Sequence, residues 1–425
     1  MNIMGRIVKK YIYKKVILLL LNYEGNELRC VIKSTSTIGD SFDASSISIG
    51  DFVKCSGAIQ SGKDGKKELL IETLEVLKRS NLLPVETGLM EKSQYQGRKL
   101  KQYYHTMMLN DTDCVCYLKS KSCILDVLNR TMIDEGFCNI ATPILQHNFY
   151  AGGARPFVTH MLDNASNMYL RITSEIALKL IMAGGMEKAF EIGNYFRNGS
   201  VNEMHSVPFC AMEAYQTQIK YEQMQNYAEI LLKNISEQLI NILRNYNKDL
   251  KIDFRTHIKE CTFEEFVRSC GFDGFNISNL NSYPDIPALK EKSEDIYSNS
   301  RMLYKWFKES LIKSQISPLW ISDLPAGQSP FIKKKDAFRL FRKYLIVNGT
   351  TLVEVTQGET DYQIIEDNLH LQQMHQKNDY PHDYQALIHA YKLGIPEICS
   401  LFVSVDRLYS IFTGENNINK YKMYI

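Results

Sequence analysis

Residues 191–215 read EIGNYFRNGSVNEMHSVPFCAMEAY and place one arginine, Arg197, eight residues before a histidine, His205, and twelve before a phenylalanine, Phe209. On an extended segment that grouping suits a nucleotide. Arg197 offers a bidentate hold on a phosphate, His205 a second donor, and Phe209 a flat face on which a purine stacks. Taken singly, the three read more simply as an edge arginine, a hydrogen-bonded histidine and a core phenylalanine. The spacing alone leaves both readings open.

With Phe190 in front, the stretch runs from FEIG to MEAY and resembles motif 2 of class II aminoacyl-tRNA synthetases, specifically the lysyl-tRNA synthetase family, whose pattern is close to FEIGRxFRNEG, then HNPEF and ExY. The resemblance continues outward in both directions. GGARPFVTH at 152–160 and MYLRITSEIALKL at 168–180 are similar to that family's GGAxARPFxTH and LYLRIxPELxLK. EGFCNIATPIL at 135–145 resembles motif 1, in which a helix leads into a strand ending in proline at a dimer interface; here the proline is Pro143. GIPEICSLFVSVDRL at 394–408 resembles motif 3 with its glycines altered, and SDLPAGQSPF at 322–331 resembles the family's xSPL loop. Several motifs in the right order imply an α+β fold: an OB-fold barrel, then a mainly antiparallel sheet flanked by helices.

Composition agrees with two domains of unequal size. A chain of 425 residues exceeds one ordinary core, and a 44% hydrophobic fraction is ample for a globular protein. Residues 1–80 alternate short apolar runs with turns: RIVKKYIYKKVILLLL, EGNELRCVI, GDFVKCSGAI and SGKDGKKELLIETLEVLK. These are hairpin signals for a small antiparallel barrel, with Gly25, Gly57, Gly62 and Gly65 marking reversals. In the family this barrel reads the anticodon with aromatic and polar side chains. Its rings here are only Tyr11, Tyr13, Tyr23, Phe42 and Phe52, so an anticodon reader and a plain structural barrel both stand. A linker at 81–88, carrying Pro84, and a catalytic-type domain at 89–425 complete the expected layout. Within that domain, helical spacing covers Lys119 to Gly136, Tyr221 to Arg244 and Ser300 to Lys313.

The apolar run Val16–Leu21, VILLLL, is far too short to span a bilayer, and no membrane association is expected. It follows the basic KKYIYKK, as in a secretory leader, but no small-residue cleavage pattern comes after it. A formal net charge of +2 advertises no global attraction to nucleic acid, so RNA contact falls to local patches such as Lys9–Lys15 or Lys63–Lys67. Ten cysteines without framework spacing imply reduced thiols and a cytoplasmic location.

Adenylate formation needs a cation on the α-phosphate, acids for magnesium, room for adenine and groups that orient the amino acid. The resemblance assigns Arg197 to the α-phosphate and Arg407 to the terminal phosphate. It assigns Gly152, Gly153 and Glu175 to the substrate α-amino group, Glu213 and Tyr215 to the lysine side chain, and His205 and Phe209 to the nucleotide pocket. Other positions depart from the pattern. The glutamate that binds the adenine amino group corresponds to Gly199. In KYLIVNGTTLVEVTQGETD, 343–361, the two magnesium acids correspond to Tyr344 and Thr351, and the ε-ammonium acid to Gly358, with Glu354 and Glu359 as the nearby carboxylates. No residue is assigned to a metal. The motif 3 glycines are Ser400, Phe402 and Ser404, and the Phe402 ring is expected in the adenine slot. Losing one metal ligand or transition-state donor costs about 2–4 kcal/mol, or two to three decades of rate.

Three readings follow. One is a catalytically impaired paralogue of the lysyl-tRNA synthetase family that acts as an RNA- or protein-binding subunit without cofactors. A second is an active lysine–tRNA ligase using ATP and magnesium, with tRNA or another acceptor. The third is an amino-acid sensor. All three keep a homodimer through the motif 1 segment.

Overall fold

The computed structural model describes residues 1–34, 43–62, 64–81, 104–148, 154–163, 166–282, 296–326, 329–375 and 384–423. The N-terminal alternation forms five strands: β1 (Asn2–Tyr13), β2 (Val16–Tyr23), β3 (Asn26–Lys33), β4 (Phe52–Ser61) and β5 (Lys67–Lys78). They close in the order β1-β2-β3-β5-β4, with β1 returning to β4, which is the OB-type barrel expected. Every second side chain enters the barrel: Ile3 and Ile7, Leu19 and Leu21, Cys30 and Ile32, Val53 and Cys55, Leu69 and Ile71. The VILLLL run is therefore strand β2, its odd leucines buried.

Gly25 makes the β2–β3 reversal with φ +79°, beside Glu24 at φ +49°, the paired left-handed geometry of a two-residue hairpin. Gly57 is not a reversal. It lies inside β4 at a register shift against β5, where a Cβ would sit 1.9 Å from the Leu70 carbonyl oxygen. Close approach of a neighbouring strand, rather than a turn, excludes a side chain there. Tyr11 and Tyr13 are exposed on the barrel, Tyr23 packs against its core, Phe52 lies under Arg6, and Phe42 falls outside the described residues.

The chain continues through α1 (Tyr104–Asn110), α2 (Thr112–Asp134), β6 (Cys138–Asn139), β7 (Leu145–Gln146), β8 (Val158–His160), β9 (Asn167–Leu170) and α3 (Glu175–Ala183). It goes on with β10 (Lys188–Tyr195), β11 (Phe209–Thr217), α4 (Tyr221–Asn245), β12 (Lys259–Thr262), α5 (Phe263–Ser269) and α6 (Ile296–Glu309). Last come β13 (Leu319–Ser322), β14 (Arg342–Val347), β15 (Thr350–Gln357), α7 (Tyr362–His375), α8 (Gln385–Leu393), β16 (Ile398–Ser404) and α9 (Val405–Thr413). Two compact units result, one of Met1–Ser120, Ile242–Lys248 and Lys420–Ile425, the other of Lys121–Asn241 and Asp249–Asn419. Among the described residues, no helix is long and apolar enough to cross a membrane.

The second unit holds an eight-stranded sheet in the order β12-β13-β14-β15-β16-β11-β10-β6, antiparallel except at its β12–β13 and β10–β6 edges. Phenylalanines of α5 and α6 and Trp306 form one core with Tyr344 and Ile346. Leu178 and Met182 of α3, Ile365 of α7, and Leu387 and Tyr391 of α8 form another with Tyr215 and Ile398. The motif 1 strand is shorter than expected. It ends at Asn139, four residues before Pro143, because Thr142 turns inward and gives its hydroxyl and its N–H to the buried Glu191 carboxylate, at 2.7 and 3.3 Å. The helix expected over Ser300–Lys313 starts and ends earlier, and a 3-10 turn follows at Leu311–Ser314.

Sheet register aligns two rows of side chains on one face. Glu213 of β11 lies opposite Phe402 of β16, Phe402 opposite Glu354 of β15, and Glu354 opposite Tyr344 of β14. Two residues along, Tyr215, Ser400, Thr356 and Arg342 repeat the arrangement. Between β14 and β15 the register slips at Leu345/Ile346, leaving Leu352 without a pairing partner. Three residues apart, Thr351 and Glu354 would face opposite ways on a regular strand; across this bulge both line the same cavity.

Candidate active site

The cavity over these rows has a volume of about 870 Å³, within the usual span of small-molecule sites. Its framework is a buried ion pair behind motif 2. The Arg171 guanidinium donates to the Glu191 carboxylate, to the Thr142 hydroxyl and carbonyl at 2.9 and 3.1 Å, and to the Asn194 carbonyl at 3.0 Å. It also lies 5.0 Å from the Tyr195 ring centre. Gly193 is required beside it, since a Cβ there would meet Arg171 Nη2 at 2.2 Å. These contacts fix the β10–β11 hairpin that carries Arg197 and Phe209.

The Arg197 guanidinium sits 5.1 Å from the centre of the Phe209 ring. His205 holds Asn202 Oδ1 at 2.9 Å through Nδ1, and the Asn419 amide secures the loop by donating to the carbonyls of Asn202 and His205. Partial desolvation, with Arg407, Lys308 and Arg197 nearby, lowers the His205 pKa and keeps its ring neutral at physiological pH. Gly199 stands over open space: nothing lies within 4 Å of a Cβ built there.

At the other side, Glu213 is buried and accepts hydroxyls from Thr173 at 2.7 Å and Ser174 at 3.1 Å. Burial, with Glu175 close by, pushes its carboxyl up to about 7. Glu175, the first residue of α3, already accepts from Lys179 at 2.8 Å, and Lys179 lies 4.4 Å from the Phe331 ring centre. Tyr215 lines the cavity between them. Arg197, His205, Phe209, Glu175, Glu213, Tyr215, Arg407, Gly199, Tyr344, Thr351 and Phe402 thus all line one cavity. Gly358 does not; its N–H is bound to the Ile398 carbonyl and a Cβ would meet Ile398 at 2.6 Å. Glu359 is not among the lining residues either, and its Oε1 accepts from the N–H groups of Thr360 and Asp361. Gly152 and Gly153 lie outside the described residues.

Two site residues escaped the sequence reading. Lys308 of α6 donates to the Thr351 hydroxyl and lies 4.7 Å from the Tyr344 ring centre. Arg342 pairs with Glu354 at 2.7 Å and stacks 4.8 Å from the same ring. The only available signal for Lys308 was its i,i+4 spacing from Tyr304, which puts both on the cavity side of α6. Arg407 completes the group by donating to the Thr351 carbonyl at 2.6 Å. Burial and the charges of Arg407 and Arg342, opposed by Glu354, push the Lys308 ammonium down to about 7. Burial and the neighbouring Arg197 lower Arg407 to about 10, which leaves it charged.

A divalent cation does not fit these residues. Tyr344 shares its hydroxyl with Tyr304, both polar groups of Thr351 are held by cations, and Glu354 is already paired. Oxygen donors with two positive side chains aimed into them repel a metal that needs carboxylate charge.

Residues 97–424 match the family of class II tRNA synthetases (D, K and N). The chain belongs to that family. The lysine–tRNA ligase of Buchnera aphidicola subsp. Schizaphis graminum is 28% identical over 385 residues, spanning 87% of this chain and 75% of that protein. The lysine–tRNA ligase of Fervidobacterium nodosum is 26% identical, over 92% of this chain and 77% of its own. A second Buchnera aphidicola enzyme, from subsp. Acyrthosiphon pisum, is 27% identical over 98% of this chain and 84% of its own. This member of the class II tRNA synthetases is lysyl-tRNA synthetase-like.

Proposed function

We propose that this chain is a lysyl-tRNA synthetase-like protein impaired in magnesium-assisted adenylate formation, and that it works as an RNA- or protein-binding subunit in the cytoplasm. One observation carries the reading: Lys308 and Arg407 converge on Thr351, where the family pattern calls for a magnesium acid. Gly358 in place of the ε-ammonium acid adds a second deficit. Homodimer formation through the motif 1 segment is supported by the exposed apolar side chains of Ile144 and Leu145 next to Pro143. Tyr11 and Tyr13, exposed beside Lys9–Lys15, give the barrel a small RNA-facing patch.

A second reading, the active lysine–tRNA ligase, is favoured by the open cavity with Arg197, Arg407, Glu213 and Tyr215 still assembled around it. Lysine-dependent exchange of pyrophosphate into ATP, with magnesium present, separates the two. Exchange within tenfold of a family enzyme sinks the impaired reading. Exchange reduced a hundredfold or more, with retained binding of a tRNA or protein partner, supports it.

A further inference from the structure

The mismatch with a metal has a positive counterpart in the charges around Thr351. Among the described residues, four cationic side chains line the cavity: Arg197, Lys308, Arg342 and Arg407. The carboxylates that line it already have partners: Glu213 accepts from the Thr173 and Ser174 hydroxyls, and Glu354 neutralises one of the four cations, Arg342. Glu175 is paired with Lys179, and Asp406 with Lys121 and the Cys210 N–H. Lys308 and Arg407 hold the hydroxyl and the carbonyl of the same threonine, so two cationic side chains of the cavity lining meet at one residue. Arg342, 8% exposed, keeps its Nε without a hydrogen-bond partner. Like charges crowded in a cleft are unfavourable until an anion joins them, and an orphaned buried donor costs free energy until an acceptor arrives.

We propose that Lys308, with Arg407 and Arg342, supplies the positive charge that a divalent ion would otherwise bring, so that this cavity binds the oligophosphate of a nucleoside triphosphate without metal. The inference rests on the reading that the magnesium acids are gone and the phosphate cations remain. It goes beyond that reading by assigning a role to a helix α6 lysine and a metal-independent ligand class to the site. Lys308 is a binding residue here: its ammonium donates to phosphate oxygens in place of Thr351 or beside it. No bond is made or broken.

Calorimetry on the full chain tests the idea, with ATP and AMP as probes, once in EDTA and once in excess magnesium chloride. ATP is expected to bind in EDTA at least as tightly as in magnesium, and tighter than AMP by about tenfold or more, since AMP lacks the adjacent phosphates. Lys308→Met is expected to weaken ATP in EDTA by about 10- to 100-fold and to leave AMP unchanged, the loss typical of one charge-assisted contact. Lys308→Arg, which keeps the charge, retains most of the ATP affinity and guards against a merely misfolded methionine variant. A strict magnesium requirement, an ATP affinity indifferent to Lys308→Met, or no ATP binding in either buffer overturns the proposal. Its failure is distinct from failure of the impaired-enzyme reading, which is decided by lysine-dependent exchange and not by binding.

Discussion

Replacing Arg171 by methionine is expected to destabilise the second unit by about 4 kcal/mol, the range for breaking a buried ion pair being about 3–5 kcal/mol. Arg171 and Glu191 are 3% and 4% exposed, so neither charge is recovered by water when its partner leaves. Glu191 keeps its two bonds from Thr142, which holds the ionic loss toward the lower end. The carbonyls of Thr142 and Asn194 each lose a donor, adding about 0.5 kcal/mol apiece. Urea unfolding followed by tryptophan fluorescence reads this unit alone, because the chain's two tryptophans, Trp306 and Trp320, both lie in it. With a slope of about 3 kcal/mol/M for a unit of this size, the midpoint falls by about 1.3 M. The double variant Arg171→Met with Glu191→Leu is expected to cost less than the sum of the singles by about 2 kcal/mol, since the second change removes the stranded carboxylate. A loss below about 1 kcal/mol in the single variant, or strict additivity in the double, refutes the claim that this pair anchors motif 2.

Glu213 gives the fold a pH dependence of definite sign. Its folded pKa, about 7, lies above the ordinary carboxylate value, so its stabilising contribution is complete below about pH 4.5 and is lost as pH rises through 7. Glu213→Gln should flatten the melting profile between pH 5 and pH 7.5 by up to about 3 kcal/mol, and a variant profile parallel to the wild type contradicts the assignment. Lys308 carries charge below its folded value of about 7 and loses it above, with Arg407, Arg342 and Glu354 facing it. ATP affinity in EDTA should therefore fall more steeply from pH 6 to pH 8 in the wild type than in Lys308→Arg; equal slopes measured by calorimetry would count against it. Gly199→Glu meets only open space and should shift stability by less than about 0.5 kcal/mol, checked by thermal melting; a larger loss would mean the loop is packed where the structure leaves it free.

Local pattern made the barrel legible. Alternation of two residues per repeat is written in the chain itself, so Ile3, Leu19, Cys30, Val53 and Leu69 announce an inward face before any strand is paired. The motif runs likewise placed Arg197, Glu213, Phe402 and Arg407 at one site, and the cavity contains all four. Gly57 was misread because a glycine in a strand and a glycine in a turn look alike until the neighbouring carbonyl, here Leu70, is known. Thr351 and Glu354 could be named from the sequence, but their shared face depends on one unpaired residue, Leu352.

What the sequence by itself determined is the family and the barrel-then-sheet order, with Tyr344 and Thr351 at the positions that the resemblance sets against the family's magnesium acids. Tertiary structure alone decided what surrounds those two residues. Lys308 sits in a run that reads as an ordinary solvated helix face, and Arg342 at the start of a strand. Only the packing of α6 against β14 and β15 brings Lys308 to Thr351 and to the Tyr344 ring over which Arg342 stacks, and Arg407 reaches Thr351 from α9. Side-chain periodicity is fixed by neighbours a few residues away, whereas the charge of a cavity is the sum of groups brought together by long-range register and packing.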